Sequence, residues 1–368
     1  MSEIVEIAEG AKRAHCSNCG AELHYAPGTE FLECGFCGTK NNIPQGLDEI
    51  REHDLLEFLN KAAAESEKET HEAVECTSCG SITSLEEQKT AQFCPFCGNH
   101  LMLQDASKIE QIKPHAILPF VLSQREAHLK FRHWLGSLWL APSRLKHMAN
   151  SPEGMAGIYT PYWTFDAQTA SDYTGQRGDD RHVQESYTTT VNGKTEFHTR
   201  TKTVTDWRSV SGHVKVNFDD VLILGSRSLP MAQADRLEPW SLSDLVPFNE
   251  DYLRGFRVES YKIDLPEAFT TGKERMTESI RAEVRSDIGG DHQRIHSLNT
   301  EWNNLTFKHV LLPVWMASYP YNGKTYRFLV NGKTGEVQGE RPYSAWKIAG
   351  LIIVILIIIA IVLMVTNK

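Results

Sequence analysis

Beyond Cys97 the sequence contains no cysteine; all eight lie between Cys16 and Cys97. Thiol chemistry is therefore confined to the N-terminal third. Positive charge is not in excess either: the formal net charge is −9 and the pI is near 5.9. The whole chain is thus not a basic nucleic-acid binder, although a local patch stays open. G-x-S-x-G and H-E-x-x-H are both missing, and the fifteen histidines are scattered without ligand spacing. No catalytic residue is assigned. The first fifteen residues, MSEIVEIAEGAKRAH, have three glutamates and no apolar run, so no signal peptide is expected. What remains is 368 residues with 41% hydrophobic and 23% charged content. That describes a largely globular chain of two or three domains.

The cysteines form four C-x-x-C pairs: Cys16/Cys19, Cys34/Cys37, Cys76/Cys79 and Cys94/Cys97. Each pair is followed by glycine, at Gly20, Gly38, Gly80 and Gly98, and the second set repeats the first at an offset of 60. Two thiolates two residues apart grip one metal from a tight turn, and the glycine allows the positive φ that closes it. A short hairpin between the pairs brings two turns face to face, so four thiolates enclose a tetrahedral ion. Zinc is the default, with two structural ions per chain. Iron is the runner-up, since Cys-Pro-Phe-Cys-Gly also resembles a rubredoxin knuckle. Disulfides are disfavoured by the cytoplasmic placement argued below. Modules this small cannot build a core, so metal binding and folding should be one event.

Residues 1–105 hold seven Lys/Arg and nineteen Asp/Glu, whereas the remainder has a small positive balance. An acidic ribbon half repels phosphate, so nucleic acid is an unfavoured partner. Between the ribbons, Leu47, Ile50, Leu55, Phe58, Leu59, Ala62 and Ala63 fall roughly on one helical face, and the charged stretch from Glu65 reads as solvated. These residues are expected to form a helical spacer.

The middle region suggests an α+β domain with an internal duplication. Leu118-Pro119-Phe120 and Val246-Pro247-Phe248 each precede helical sequence, while Pro161-Tyr162-Trp163 and Pro313-Val314-Trp315 each open strands. Ser123 and Glu126 make a capping-box pattern ahead of the stripe Ala127, Phe131, Trp134, Leu135, Leu138 and Trp139, with Pro142 as the stop. Asn249 should cap a short helix through Phe256, and another helix should run from about Thr271 to Ile288. Hairpins are expected at Glu185–Thr205 and at 310–330. Asp179-Asp180-Arg181-His182 reads as a solvated loop beside Gly175 and Gly178. Trp134, Trp139, Trp163 and Trp315 read as core rather than as the lining of a pocket.

Gly-Lys-Thr occurs at 193–195, 323–325 and 332–334, the triplet that ends a phosphate-binding loop. Such a loop needs a glycine five residues earlier, where this chain has Thr188, Ser318 and Arg327. The triplets are therefore hairpin turns, and no nucleotide is expected.

Ile348–Val365 is an uncharged run of eighteen residues, roughly 27 Å long as a helix, with Trp346 and Lys347 at its edge. It reads as a tail anchor in the cell membrane, single-pass, with the bulk of the chain cytoplasmic; Arg341 and Lys347 agree with that orientation.

The four C-x-x-C-G knuckles, the paired P-x-W strands and the terminal span together resemble the bacterial membrane-anchored zinc-ribbon proteins. Their ribbons are of the transcription-factor-IIB type, and some relatives are labelled primosomal replication helicase. This chain lacks that helicase's nucleotide loop, so the label does not transfer. Some members of the resembled family occur with flotillin-like scaffold proteins and phage-shock-type membrane-stress proteins, which implies a recruiting role. The expected organisation is ribbon 1 over 12–45, a spacer over 46–75, ribbon 2 over 76–105, the duplicated domain over 106–343 and a transmembrane helix over 347–365. The expected function is a non-enzymatic, membrane-anchored adaptor that binds lipid through its terminal helix and protein partners through its body. The alternative is a membrane-associated nucleic-acid-binding factor.

Overall fold

The computed structural model describes residues 15–44, 49–60, 68–84, 91–102, 105–142, 154–191, 194–321, 324–340 and 343–366. In chain order, β1 (Leu23–Tyr25), β2 (Phe31–Cys34) and β3 (Lys40–Asn42) form the first ribbon sheet. β4 (His53–Asp54) and the short α1 (Leu55–Asn60) follow. β5 (Lys68–Glu75) pairs with β6 (Ile82–Thr83) and β9 (Ala106–Ile112), and β7 (Ala91–Phe93) pairs with β8 (His100–Met102). Next come β10 (Ala116–Ile117), α2 (Gln124–Ser137), β11 (Met155–Val191), β12 (Lys194–Leu224), α3 (Met231–Asp235), β13 (Val246–Pro247) and β14 (Arg257–Val258). The chain continues with α4 (Leu265–Ile288), β15 (His292–Tyr321), β16 (Lys324–Asn331), β17 (Val337–Gly339) and α5 (Ala345–Thr366).

A nine-stranded mixed sheet organises the body, with the path β12-β11-β15-β10-β13 and with β4, β14, β16 and β17 attached beside it. Side chains alternate along a strand, so each strand feeds two cores. Ile117, Leu311, Trp315 and Val330 face ribbon 1 and the apolar stripe of α2. Their neighbours Ala116, Leu118, Leu312, Val314 and Leu329 face ribbon 2 and the segment around Leu237. The two ribbons therefore sit on opposite faces of one sheet.

α2 begins as the sequence implies. The Ser123 hydroxyl accepts from Glu126 N–H, and the Glu126 carboxylate accepts from Ser123 N–H. The helix ends at Ser137, ahead of Pro142. α4 starts at Leu265, six residues earlier than expected. The Asp264 side chain accepts from Glu267 N–H, and Pro266 lies in the first turn, where a missing N–H costs nothing. Its buried stripe of Met276, Ile280, Val284 and Ile288 covers β11 and β12.

Several expectations are corrected. The spacer is helical only over Leu55–Asn60 among its described residues. Lys68–Glu75 is a strand, because Lys68 to Val74 pair with Ala106 to Ile112. Leu47, Ala62, Ala63 and Glu65 lie outside the described residues. The segment after Asn249 is a four-residue 3-10 turn, Glu250–Leu253, followed by strand β14. Asp179 to His182 is not a loop: it runs in β11, opposite Thr203 to Asp206 of β12. The first hairpin is far longer than expected, since β11 and β12 pair from Tyr162↔Leu224 to Val191↔Lys194. Trp163 and Trp315 are buried and Trp134 is half-buried, but Trp139 is exposed.

Candidate metal centres

The four knuckles share one backbone geometry. The glycine N–H donates to the carbonyl of the first cysteine in each, at 2.7–2.8 Å for Gly20, Gly38, Gly80 and Gly98. That cysteine's own N–H donates to the residue after the glycine, at Ala21, Thr39, Ser81 and Asn99. All four glycines have φ between 73° and 76°. No atom crowds a Cβ at Gly20 or Gly38, so the left-handed backbone rather than space demands glycine there.

The strands bring the turns together crosswise in both sets. Cys16 Sγ lies 3.5 Å from Cys37 Sγ, and Cys19 is 3.5 Å from Cys34. In the second set Cys76–Cys97 is 3.5 Å and Cys79–Cys94 is 3.6 Å. A disulfide would need about 2.0 Å. Sulfurs about 2.3 Å from a central tetrahedral ion would be roughly 3.8 Å apart, close to what is seen. Each set of four ligand atoms falls within 4.8 Å.

The electrostatics also fit a cation. The Thr39 hydroxyl, 3.1 Å from Cys37 Sγ, helps hold that thiol down to about 5. Contact with Cys94 pulls Cys79 down to about 4, assisted by the Ser81 hydroxyl. Cys94 is pushed up by Cys79 and by its burial. Four crowded sulfurs resist carrying four negative charges without a positive ion among them. These two groups of cysteines are the sites assigned from the sequence, and each set comes together in the fold.

The ribbons differ in how they meet the body. Cys19 and Cys37 are exposed, whereas Cys79 and Cys97 are half-buried. Ribbon 1 is fastened through Tyr25, whose hydroxyl donates to the Phe120 carbonyl at 3.0 Å. Backbone bonds add to this, from Tyr25 N–H to Arg254 O and from Gly28 N–H to Phe120 O, and ribbon 2 is fastened in a similar way. Ser84 N–H donates to Val258 O, Ser260 N–H donates to Ile82 O, and the Lys262 ammonium reaches Glu75 at 2.6 Å.

The Gly-Lys-Thr triplets show no phosphate cradle among the described residues. At 332–334 the Asn331 side chain accepts from the N–H groups of Lys333 and Thr334, and the Lys333 ammonium pairs with Asp244 at 2.7 Å. Asn192, Gly193, Asn322 and Gly323 lie outside the described residues.

Two features were not visible in the sequence. A cavity of about 660 Å³ opens where ribbon 1 meets β5 and β14, lined by His24, Glu69, His71, Phe248, Ser260 and others. Burial raises Glu69 above the usual carboxylate range and lowers His71, whose Nε2 lies 3.0 Å from Ser260 Oγ. The second is Lys308, buried among Glu52 at 3.0 Å, Asp220 at 2.8 Å and Asp166 at 3.9 Å. Nothing local marks either feature, because each is assembled from residues far apart in the chain.

α5 is long and apolar enough to cross a membrane, with a mean hydropathy of 3.6 and none of that window buried.

The chain is 29% identical over 335 residues to the uncharacterized protein YdjG of Bacillus subtilis (strain 168), covering 91% of each chain. No protein-family model and no solved structure matches.

Proposed function

We propose that this protein is a membrane-anchored, zinc-binding adaptor that recruits protein partners through its first ribbon. The observation that carries this reading is Phe36. It sits between the cysteines of a metal knuckle and is 87% exposed. An exposed aromatic held on a rigid turn is a ready anchor for a partner pocket. In this reading the ions are zinc, α5 crosses the cell membrane, and the body lies on the cytoplasmic side, where thiols stay reduced. The acidic ribbon half favours protein over nucleic acid. Membrane-stress or flotillin-like assemblies are the partners that the family resemblance implies.

We further infer that the middle region is duplicated. Trp163 and Trp315 each follow a proline by two residues, and each indole N–H donates to a backbone carbonyl, Ile263 O and Leu122 O, at 2.9 Å. β11 runs antiparallel to β15 with Tyr159 opposite Pro313 and Pro161 opposite Leu311, an arrangement compatible with two copies lying side by side.

The test is photocrosslinking in native membranes from an amino acid placed at position 36, with mass spectrometry of the adducts. A specific protein adduct that is lost when free ribbon competes supports the adaptor. Nucleic-acid adducts, or none above those from a buried control position, would refute it.

A further inference from the structure

The junction between the body and α5 is built from three exposed aromatic residues and a lysine. Lys347, in the first turn of α5, donates its ammonium to the carbonyls of Trp139 at 3.0 Å and Ala141 at 2.7 Å. Ser344 N–H donates to Leu140 O at 2.9 Å, and Ser344 O accepts from Ile348 N–H at 3.1 Å to start the helix. The segment just past α2 is thus bound to the near end of the apolar helix, 206 to 208 residues away in sequence. That binding fixes the level of Trp139 relative to the span. Trp139 is 60% exposed, Tyr343 56% and Trp346 89%.

Indole and phenol rings with one apolar and one polar edge settle at the membrane–water interface, and a lysine there keeps its charge at the polar side. Here the lysine is satisfied by carbonyls of the body itself. A body tethered in this way cannot hang freely from its anchor. We propose that the shoulder formed by residues 138–141 is a second membrane contact, with Trp139 seated in the lipid interface beside Trp346 and Tyr343. The partner is the headgroup and upper acyl region of the bilayer. Water as the alternative neighbour would leave a large ring exposed next to an apolar helix that is itself surrounded by lipid. The proposal rests on the reading of α5 as a membrane span.

The experiment uses the full-length protein in phosphatidylcholine vesicles with lipids brominated near the headgroup end of the chain. Tryptophan emission is compared for the wild type, Trp139→Phe and Trp346→Phe. The emission lost with each substitution is that residue's share. The share of Trp139 should be blue-shifted and quenched by bromolipid as strongly as that of Trp346. If Trp346 is quenched by bromolipid while Trp139 emits as in water and responds only to aqueous iodide, the second contact is refuted and the anchor stands. If neither is quenched by bromolipid, the anchor reading falls and this proposal with it. A benzophenone amino acid at position 139 gives an independent measurement: lipid adducts are expected, and their absence alongside adducts from position 346 refutes the contact.

Discussion

Phe36 and Phe96 occupy the same place in the two ribbons, one residue before the last cysteine, yet Phe36 is 87% exposed and Phe96 is wholly buried. One module turns its knuckle outward. The other plugs the equivalent ring into the core that also holds Leu118, Val314 and Leu329. The repeat has kept its four-cysteine cluster and divided its surfaces.

That division predicts unequal costs. Phe96→Ala should destabilise the body by about 3–5 kcal/mol, as expected for a large core deletion. Phe36→Ala should stay within about 0.5 kcal/mol. Chemical denaturation with excess zinc distinguishes the two.

Metal release should follow the same asymmetry. Purified protein should carry two zinc equivalents and lose them to a chromogenic chelator in two phases. The faster phase should belong to ribbon 1, where Cys19 and Cys37 are exposed. Cys16→Ser should delete the fast phase and spare the slow one. Loss of both phases, or deletion of the slow one, would contradict the assignment.

Lys308 should be hard to replace. Its ammonium sits among three carboxylates and is buried. Lys308→Met leaves those charges facing one another, at a cost of about 3 kcal/mol or more. Adding Asp166→Asn and Asp220→Asn should recover part of that loss in the same denaturation assay.

His309 and His115 should make the protein sensitive to acid. Burial lowers His309 to about 4 and His115 to about 3. His115 Nδ1 accepts from the backbone N–H of His309, which protonation would forbid. Unfolded histidine takes its proton near 6.5, so stability from the neutral folded forms is present above that pH. It is lost as pH falls from about 6.5 towards 4 and below. Glu259, raised to about 7 chiefly by burial, acts in the opposite sense as pH rises from about 4.3 to 7. The measurement is therefore a difference: the melting-temperature slope between pH 7 and 5 should be flatter in His309→Gln than in the wild type, with zinc held in excess.

Lys333→Ala should cost below about 1 kcal/mol, since its pair with Asp244 is partly exposed. ATP turnover should be absent from the wild type and unchanged in the variant. Lysine-dependent hydrolysis would contradict both the turn and the adaptor.

What the sequence disclosed was local. The knuckles need only cysteine spacing and a glycine, and the α2 cap needs only Ser123 and Glu126. The strand at Lys68–Glu75 is not legible locally, because its reason lies at Ala106–Ile112, in a partner strand beyond the second ribbon. Asp179 to His182 looks like a loop from its charges and neighbouring glycines. It is a strand because it pairs with Thr203 to Asp206 of β12, where Arg181 and Arg177 offset the charges of Asp206 and Asp179 and the Thr205 hydroxyl donates to Asp180 at 2.6 Å. The start of α4 is set by the Asp264 cap and by Pro266 in the first turn, which lie ahead of the apolar stripe. The cavity and the Lys308 cluster exist only once the sheet is assembled.

The third strand of the long antiparallel unit stops at the pair Gly178↔His292. From there β11 and β12 go on alone for the thirteen pairs from Asp179↔Asp206 to Val191↔Lys194, a reach of about 44 Å at 3.4 Å per residue. A ribbon of two strands is marginal in water, and this one is held by polar clasps such as Arg200 on Glu185 at 2.6 Å and Arg181 on Asp206. Its opening free energy should shrink with distance from the sheet. Amide exchange should therefore run as a gradient, slow at Gly178 and fast towards Val191, like a zip fastened only at its base. The reach of this spar past the body is then set by temperature and salt as much as by sequence.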